Sequence, residues 1–312
     1  MRRLATTIAF LGAATLMVAG CDDPVPPSLV ANGQSQSGAV SMSAPEPFDT
    51  SSIETVPEIA AMVPASVKER GILRNGASTE YAPGEFRASD GQTPVGYDID
   101  IVNALAKVMG LEKGQTSHAE FPTILPALGT KFDVGASSFT ITNERLAQVH
   151  MISYVQVGSS FAVAKGNPGK FNPNDLCGST IGVQTGTYQQ DYAAAESEKC
   201  VKAGKAKIEI MPHDLQTDIA TKVIGRQYDA TFADSTVVGF AVEKSQGQME
   251  QVGEVIESAP QGITVSKEDE QLAKAVQAAM QHLMDKGILT DILDNYGAEQ
   301  AGLSRAELDP TQ

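Results

Sequence analysis

Short apolar runs rich in Val, Ile and Phe recur along the chain from residue 71 and predict β-strands. They alternate with longer stretches in which apolar residues return every three or four positions, the spacing of an amphipathic helix. The strand candidates are GILRNGA (71–77), FDVGAS (132–137), SFAVAKG (160–166), TIGVQTG (180–186), KIEIM (207–211), DATFAD (229–234) and GITVS (262–266). This alternation predicts α/β architecture with largely parallel sheets.

Two stretches carry the clearest helical pattern. In residues 96–110, one face collects Ile101, Leu105, Val108 and Met109. Asp98 is the predicted cap at the start of this helix, and Gly110 ends it. In residues 267–287, the apolar stripe consists of Leu272, Val276, Met280 and Leu283. Because ligands of parallel sheets bind beyond the carboxyl ends of strands, the residues that follow the predicted strands are the first candidates for a site.

The first twenty residues have the anatomy of an export signal. Arg2 and Arg3 form a basic start, and LATTIAFLGAATLMVA forms an uncharged apolar core. Small residues directly before Cys21 resemble the bacterial lipobox, in which the cysteine is lipidated and becomes the new N-terminus. We therefore predict a lipoprotein signal peptide at 1–20 and a lipid anchor on the outer face of the cytoplasmic membrane. An ordinary cleaved signal and an uncleaved anchor are the alternatives, although the apolar core falls short of the roughly 20 residues of a membrane span.

Residues 21–65 differ in composition from everything that follows. No Lys or Arg occurs between Arg3 and Lys68, and the segment is rich in Pro, Ser, Gly and Ala. Such a segment buries too little apolar surface to offset the entropy lost on ordering. The sequence therefore predicts a disordered tether over 21–65. Its end, IETVPEIAAMVPASVKERG, is apolar enough to form a short helix on the folded body.

The charge balance excludes one class of partner. Lys and Arg number 23 against 38 Asp and Glu, a net charge of −15, and no basic run interrupts that balance. Nucleic acid is therefore not an expected partner. The chain contains no G-x-S-x-G, H-E-x-x-H or P-loop motif, and its histidines are scattered. We expect no metal, no cofactor and no enzymatic activity.

The remaining cysteines suggest a disulfide. If Cys21 is lipidated, Cys177 and Cys200 form an even pair in an exported protein, where a disulfide is the expected state. A redox site would more often show C-x-x-C, and a metal site would need histidine neighbours. A bridge over this separation would stabilise the fold by around 3 kcal/mol through loop entropy.

The segment DVGASSFTITNER, residues 133–145, places an arginine where a helix start favours an acid. Thr142 is a good N-cap, and a capping box would put Glu or Gln at the position of Arg145. A cation in the first turn also opposes the helix dipole. The position of Arg145 therefore requires an explanation from outside its own helix.

A bound zwitterion supplies that reason. A ligand with a carboxylate and an ammonium on one carbon needs an opposite charge at each end. Arg145 offers a planar fork for the carboxylate, and Asp234, at the end of another strand, offers an acceptor for the ammonium. The hydroxyls of Ser138 and Thr140 can complete the hydrogen bonds of the carboxylate. The alternative is a solvated arginine whose stem packs on the surface.

From Gly71 to about Gly297 the sequence resembles the bacterial extracellular solute-binding protein family that includes the lysine/arginine/ornithine- and glutamine-binding periplasmic proteins. Each motif alone is weak, but their order along the chain is specific. The motifs are YAPGEF (81–86), GYDIDIVNALAKVMGL (96–111), FPTILPAL (121–128), KFDVGASSFTITNER (131–145), LCGSTIGVQTGT (176–187), GRQYDATFAD (225–234) and GITVSKEDEQLAKAVQAAM (262–280).

The resemblance implies a two-lobed periplasmic-binding-protein-like fold of type II, in which two crossing hinge strands join the lobes. Lobe 1 would comprise residues 66–158 plus 262–305, and lobe 2 residues 159–261. The lobes would close on one free amino acid by hinge motion near 158–162 and 258–262. The membrane permease of an ABC importer would then recognise the closed form of a monomeric binding protein.

The resemblance also assigns roles to individual residues. Arg145, Thr140 and Ser138 match the carboxylate site, and Asp234 matches the α-ammonium site. The remaining predicted contacts are Tyr81 and Phe121 beside the ligand side chain, Ser137 through its backbone or hydroxyl, and Thr187 and Tyr188 from the second lobe. Core packing is the alternative for both Tyr81 and Phe121, and a plain surface position is the alternative for Tyr188.

One departure from the family pattern affects the choice of ligand. Ser78 stands where binders of basic amino acids tend to carry an acid, so polar or amide ligands are favoured over cationic ones. A sensor module of the same fold is a rival function, marked by a membrane or signalling segment after residue 305. A dehydratase-like enzyme is another, and it would need an acid of raised pKa in the site. The nearby glutamates, Glu80 and Glu85, are expected in a solvated loop.

Overall fold

The computed structural model describes residues 45–311, so the signal peptide and Cys21 lie outside the described residues. The strands are β1 (Ile72–Ala77), β2 (Phe86–Arg87), β3 (Pro94–Val95), β4 (Lys113–His118), β5 (Val134–Gly135), β6 (Val149–Ala164), β7 (Thr180–Gln184), β8 (Glu209–His213), β9 (Ala230–Asp234) and β10 (Met249–Ser266). The helices are α1 (Pro57–Met62), α2 (Ala65–Arg70), α3 (Tyr97–Val108), α4 (Phe121–Ile124), α5 (Asn143–Gln148), α6 (Tyr188–Lys202), α7 (Gln216–Ile224), α8 (Ser235–Lys244), α9 (Glu270–Asp285) and α10 (Ile288–Asp294). Among the described residues, no helix has the length and apolarity that crossing a bilayer requires.

Two long strands connect the halves of the molecule. Strands β6 and β10 have 16 and 18 residues and pair antiparallel along most of their length. They lie at the centre of an eight-stranded sheet with the order β4-β1-β5-β10-β6-β9-β7-β8. The sequence predicted only residues 160–164 of β6 and the end of β10. The predicted α/β fold with two crossing strands is confirmed.

Lobe 1 is built on the β4-β1-β5 side of the sheet. Strand β1 pairs parallel with both β4 and β5, as the alternation of strands and helices predicted. Helices α3, α9 and α10 contribute to one apolar core in which Leu105, Val276 and Leu283 have no exposed surface. Helix α9 begins where Asp269 accepts a hydrogen bond from the Leu272 N–H at 3.0 Å. The apolar stripe predicted for this helix therefore faces the core.

Lobe 2 is built on β9, β7 and β8. Strand β7 pairs parallel with its neighbours β8 and β9. Phe161 and Phe232 stack in the core with ring centroids 4.2 Å apart. A disulfide joins Cys177, just before β7, to Cys200 near the end of α6, so the predicted pairing is confirmed.

The pairing of the two long strands is irregular where they pass between the lobes. Register shifts occur between Val252 and Ile256, between Ile256 and Ala259, and at Gln261/Gly262. The predicted hinge at 258–262 falls on these irregularities. A register shift interrupts the regular ladder of hydrogen bonds and bends the strand locally, so the hinge at 258–262 stays a prediction that is compatible with this irregular pairing.

The segment before the lobes is more ordered than the sequence predicted. Helices α1 and α2 lie within or directly after the predicted tether of 21–65. The Phe48 N–H donates to Asp100 Oδ2 at 2.9 Å, and the Val56 N–H donates to the Val108 carbonyl at 3.0 Å. The composition of this segment is poor in charge, but Phe48 and Val56 pack against the core of lobe 1. The short helix predicted at the end of this segment is present as α1 and α2. The prediction of a disordered tether up to residue 65 is wrong, because the folded body includes residues from 45 onward.

Candidate functional site

A small cavity lies between the lobes, where segments that follow β5, β7 and β9 meet. Lobe 1 contributes Tyr81, Phe121, Ser138, Thr140 and Arg145. Lobe 2 contributes the predicted residues Thr187, Tyr188 and Asp234, together with Gln184 and Gln189, which the sequence analysis missed. The structure thus brings Arg145 and Asp234 to one cavity from opposite lobes.

Arg145 is held from its own lobe and reaches the other. Thr142 caps α5 by accepting a hydrogen bond from the Arg145 N–H at 3.2 Å, as predicted. The guanidinium donates from Nη1 to the Thr140 carbonyl at 2.8 Å and from Nη2 to the Gly186 carbonyl of lobe 2 at 3.2 Å. The rings of Phe121 and Phe139 lie 5.5 and 5.4 Å from it. Arg145 is therefore oriented by the site and is not a freely solvated side chain.

The electrostatic surroundings of Arg145 favour an anion. Burial lowers the pKa of its guanidinium, and the carboxylates of Asp191, Asp234 and Glu144 act in the opposite direction. Among the described residues, no carboxylate lies within salt-bridge distance of Arg145. A partly buried cation without a direct ion pair attracts a ligand carboxylate, and its planar fork suits two parallel hydrogen bonds.

Asp234 ends β9 and is only 4% exposed. Its Oδ1 accepts from Gln189 Nε2 at 2.7 Å, and its Oδ2 accepts from Gln261 Nε2 at 2.7 Å. Its backbone N–H donates to the Tyr81 hydroxyl at 3.1 Å. Burial raises the pKa of Asp234 to about 6 although these hydrogen bonds lower it. Neutral amides thus hold a buried carboxylate whose charge a ligand ammonium would neutralise.

The amides around Asp234 left no signal in the sequence. Gln189 also donates to Ser159 Oγ at 2.8 Å, and Gln261 lies on the hinge strand β10. Both are uncharged residues in segments without a motif that depends on them. Only Gln189, by its place two positions after the conspicuous Thr187, offered any indication.

Ser137 and Ser138 turn towards buried acids. Ser137 Oγ donates to Glu85 Oε1 at 2.7 Å, and Ser138 Oγ donates to Glu85 Oε2 at 3.1 Å. The Ser138 N–H donates to Asp98 Oδ2 at 2.8 Å. Of the two serines, only Ser138 reaches the cavity wall. The hydroxyl of Ser137 is occupied by Glu85, so a ligand could reach only its backbone after local rearrangement.

Two expectations about acids in this region were wrong. Glu85, expected in a solvated loop, has no exposed surface. Asp98, expected to cap α3, lies inside the helix, which is preceded by Gly96. Burial raises the pKa values of Glu85 and Asp98. Glu80 is partly exposed, and its carboxylate lies 3.2 Å from Arg87 Nε.

The contributions of lobe 2 start at helix α6. Thr187 caps this helix by accepting from the Gln190 N–H, and its hydroxyl donates to the Gln184 carbonyl at 2.7 Å. The Tyr188 hydroxyl donates to Glu257 Oε2 at 3.2 Å, and Tyr188 is only partly buried. Thr187 therefore faces the cavity from a fixed position, while Tyr188 forms its rim.

Ser78 lies behind the cavity wall and contacts the opposite lobe. Its Oγ accepts a hydrogen bond from Gln184 Nε2 at 2.9 Å. With the bonds of Arg145 to Gly186 and of Asp234 to Tyr81, this contact holds the lobes together. The enclosed cavity measures about 10 Å³, which is the space of about one water molecule. An amino acid needs more room, so ligand entry requires the lobes to separate.

The chain matches the bacterial extracellular solute-binding proteins, family 3, over residues 73–299. It belongs to this family, as the sequence resemblance implied. The protein is therefore a solute-binding protein of the kind that the family description calls extracellular.

Individual relatives agree in fold and class. The arginine-binding protein ArgT of Corynebacterium glutamicum is 38% identical over 256 residues, which cover 81% of this chain and 83% of the relative. An ancestral arginine-binding protein solved with arginine has a TM-score of 0.66 and 28% identity over 73% of this chain and 99% of that chain. An ancestral amino acid-binding protein described as a precursor of cyclohexadienyl dehydratase has a TM-score of 0.66 and 26% identity, over 74% of this chain and 97% of that chain.

Proposed function

We propose that this protein captures one free amino acid between its lobes and presents it to the permease of an ABC importer. The observation that carries the proposal is the convergence of Arg145 from lobe 1 and Asp234 from lobe 2 on one cavity. In the proposed complex, the ligand carboxylate takes the guanidinium fork and the ammonium takes the carboxylate of Asp234. Thr140 and Thr187 complete the hydrogen bonds around the ligand backbone.

The mechanism follows from the separation of these charges between lobes. With the lobes apart, a ligand reaches Arg145 or Asp234 but not both. Closure brings both charges to the ligand, so the ligand binds the closed form better and shifts the population towards it. The irregular pairing of β6 and β10 supplies the hinge. The permease would distinguish the loaded protein by its closed shape.

Arginine is the ligand that we propose to test first. The relatives named as arginine-binding support this choice. An excess of acidic residues over the whole chain also favours the approach of a cationic ligand. The neutral Ser78–Gln184 contact favours an amide such as glutamine as the alternative, because no acid stands at that position.

The positions of the two glutamates near the cavity argue against a dehydratase-like activity. Glu85 is buried beneath the serines and is not part of the cavity wall. Glu80 interacts with Arg87 and accepts from the Thr217 hydroxyl at 3.3 Å. Neither is positioned beside a ligand in the proposed pose, and the acid that does line the cavity, Asp234, is assigned to the ligand ammonium.

The proposal is tested by calorimetry on the purified protein with each standard amino acid, after release of any co-purified ligand and its identification by mass spectrometry. We expect saturable binding of arginine, or of a glutamine-like amide, with one site per chain. Absence of binding for every amino acid would contradict the transport function. Turnover of the bound compound into a new product would favour the enzyme instead.

A further inference from the structure

Two carboxylates meet in the interior of lobe 1, directly beneath the carboxylate-binding end of the cavity. Glu85 has no exposed surface, and neither does Asp98. Glu85 accepts hydrogen bonds from the hydroxyls of Ser137 and Ser138. Asp98 accepts from the Ser138 N–H at 2.8 Å and from the Tyr154 hydroxyl at 2.6 Å. The Ser138 hydroxyl lies 3.1 Å from Glu85 Oε2 and 3.4 Å from Asp98 Oδ2, so one hydroxyl contacts both carboxyl groups.

The surroundings of this pair contain no compensating cation. Among the described residues, no Lys, Arg or His hydrogen-bonds or ion-pairs with Glu85 or Asp98, and the titratable groups that face them are Tyr81, Tyr97 and Tyr154. Burial raises the pKa values of both acids, and the charge of Asp98 raises that of Glu85 further. Adjacent carboxylates in a dry interior repel each other, which favours a state in which the pair retains one proton.

The same pair holds one wall of the ligand cavity, the turn at Ser138. Ser138 has φ of 51°, in the left-handed region, and both its N–H and its hydroxyl bond to the pair. A left-handed conformation is costly for serine, so these hydrogen bonds hold a turn that would otherwise relax. Their loss would displace the segment that leads to Thr140.

We propose that Glu85 and Asp98 are positioning residues for the ligand carboxylate, acting as one buried acid that retains a shared proton under the Ser137–Ser138 turn. This inference rests on the proposed amino-acid site. With the proton in place, the pair carries a single negative charge and its members attract each other. Without it, two like charges repel each other and the ligand carboxylate above them, so the proton is part of the binding-competent state.

The shared proton is tested without any ligand. Infrared difference spectra between the wild type and Glu85→Gln, recorded at pH 7, should contain the carbonyl-stretch band of a protonated carboxylic acid in the wild type only. Asp90→Asn, at an exposed position, serves as the matched control and should leave that band unchanged. A wild-type spectrum lacking the band would overturn the inference.

The positioning role is tested by binding. Glu85→Gln imitates the protonated acid and should keep the dissociation constant for the preferred amino acid within about threefold of the wild type at pH 7. Glu85→Ala should weaken binding by at least about tenfold because the serines lose their anchor. Equal affinity of Glu85→Ala and wild type would refute a positioning role. If Glu85→Ala does not fold, Glu85→Gln decides alone, and a loss beyond tenfold contradicts the inference.

Dissociation constants measured at pH 9 distinguish an effect of the shared proton from an effect of side-chain packing. The ligand ammonium titrates equally for both proteins, so it cancels in the ratio of their dissociation constants. The wild type should lose at least as much affinity as Glu85→Gln between pH 7 and pH 9, because only the wild type can lose the shared proton. A greater loss in the variant contradicts the inference. Should no amino acid bind the wild type, the proposed function fails, while the infrared band still decides the state of the acid pair.

Discussion

Arg145 occupies the first turn of α5, where its charge opposes the helix dipole by about 0.3–1 kcal/mol. The structure accounts for this cost through contacts outside the helix. The guanidinium lies between Phe121 and Phe139 and reaches the Gly186 carbonyl of the other lobe. A residue that is unfavourable for its own element is thus favourable for closure and, in the proposed function, for a bound carboxylate.

Replacing Arg145 by alanine should weaken amino-acid binding by about 2–5 kcal/mol, because the ligand carboxylate would be buried without a partner. Arg145→Lys, the matched control, keeps the charge but loses the planar fork, so its affinity should fall between those of Arg145→Ala and the wild type. Isothermal titration calorimetry gives both values. An unchanged dissociation constant for Arg145→Ala would remove this residue from the site.

Binding should also depend on pH through Asp234. Its pKa of about 6 in the free protein means that the ligand ammonium meets an ionised partner above that pH. As pH falls below about 6, the ligand must displace a proton, so affinity should fall by up to about tenfold per pH unit. Asp234→Asn should bind weakly at every pH and lose this dependence. Constant wild-type affinity between pH 7 and pH 5 would contradict the assignment.

At the level of elements, the local sequence pattern was sufficient to predict a helix or strand that buries only one of its faces. The apolar stripe predicted for helix α9 appears in the structure, where Leu272, Val276, Met280 and Leu283 are buried. Strand β4 was missed because its residues, KGQTSH, are polar and lie at the sheet edge with partial exposure. Residues 149–159 of β6 were missed because the strand is buried almost throughout and has no alternation to recognise.

The disulfide links helix α6 to the segment just before β7 in lobe 2. We expect its removal to lower stability without changing ligand binding. Cys177→Ser/Cys200→Ser should lower the free energy of unfolding by around 3 kcal/mol, because the unfolded chain gains conformational entropy when the bridge is absent. Amino-acid affinity should stay within about twofold, because the bridge connects the core of lobe 2 and not the cavity. Urea unfolding and calorimetry measure the two effects. The wild type in reductant is the control and should match the double variant.

At the level of the whole molecule, the lobes meet through a few specific contacts. Gln184 donates to Ser78, Arg145 donates to the Gly186 carbonyl, and the Asp234 N–H donates to Tyr81. Each joins a residue of one lobe to a residue of the other. They hold the lobes in a closed arrangement whose cavity is smaller than an amino acid, so a ligand-bound form would be less tightly closed than this one.

Closure should be visible as a change in distance between the ends of the sheet. Spin labels at Lys113→Cys in β4 and Lys207→Cys before β8 lie on exposed positions of opposite lobes. Adding the preferred amino acid should shorten and narrow the distance distribution measured by double electron–electron resonance. The same labels with Arg145→Ala should respond little at equal ligand concentration. A ligand-saturated wild type with unchanged distances would exclude the closure mechanism.

Membrane attachment through a lipid is a further prediction at the scale of the whole molecule. The proposed lipid on Cys21 should hold the protein in the membrane fraction of its native host. Cys21→Ser should move it to the soluble fraction without altering amino-acid affinity, because the cavity lies entirely within the described lobes. Fractionation and mass spectrometry of the N-terminal peptide provide the measurement. Recovery of unlipidated wild-type protein from the membrane would instead support an uncleaved anchor.

Beyond the two-lobed fold, which the family resemblance implied, the sequence by itself determined the alternation of elements and the α/β class, and it predicted the disulfide pair and the charged candidates Arg145 and Asp234. These follow from local periodicity and from residue types whose chemistry is conspicuous. The tertiary structure alone decided that Gln189 and Gln261 hold Asp234, and that Glu85 is buried beneath Ser137 and Ser138. Burial and hydrogen-bond partnership depend on segments far apart in the chain, and no local pattern records which distant group will cover a polar side chain.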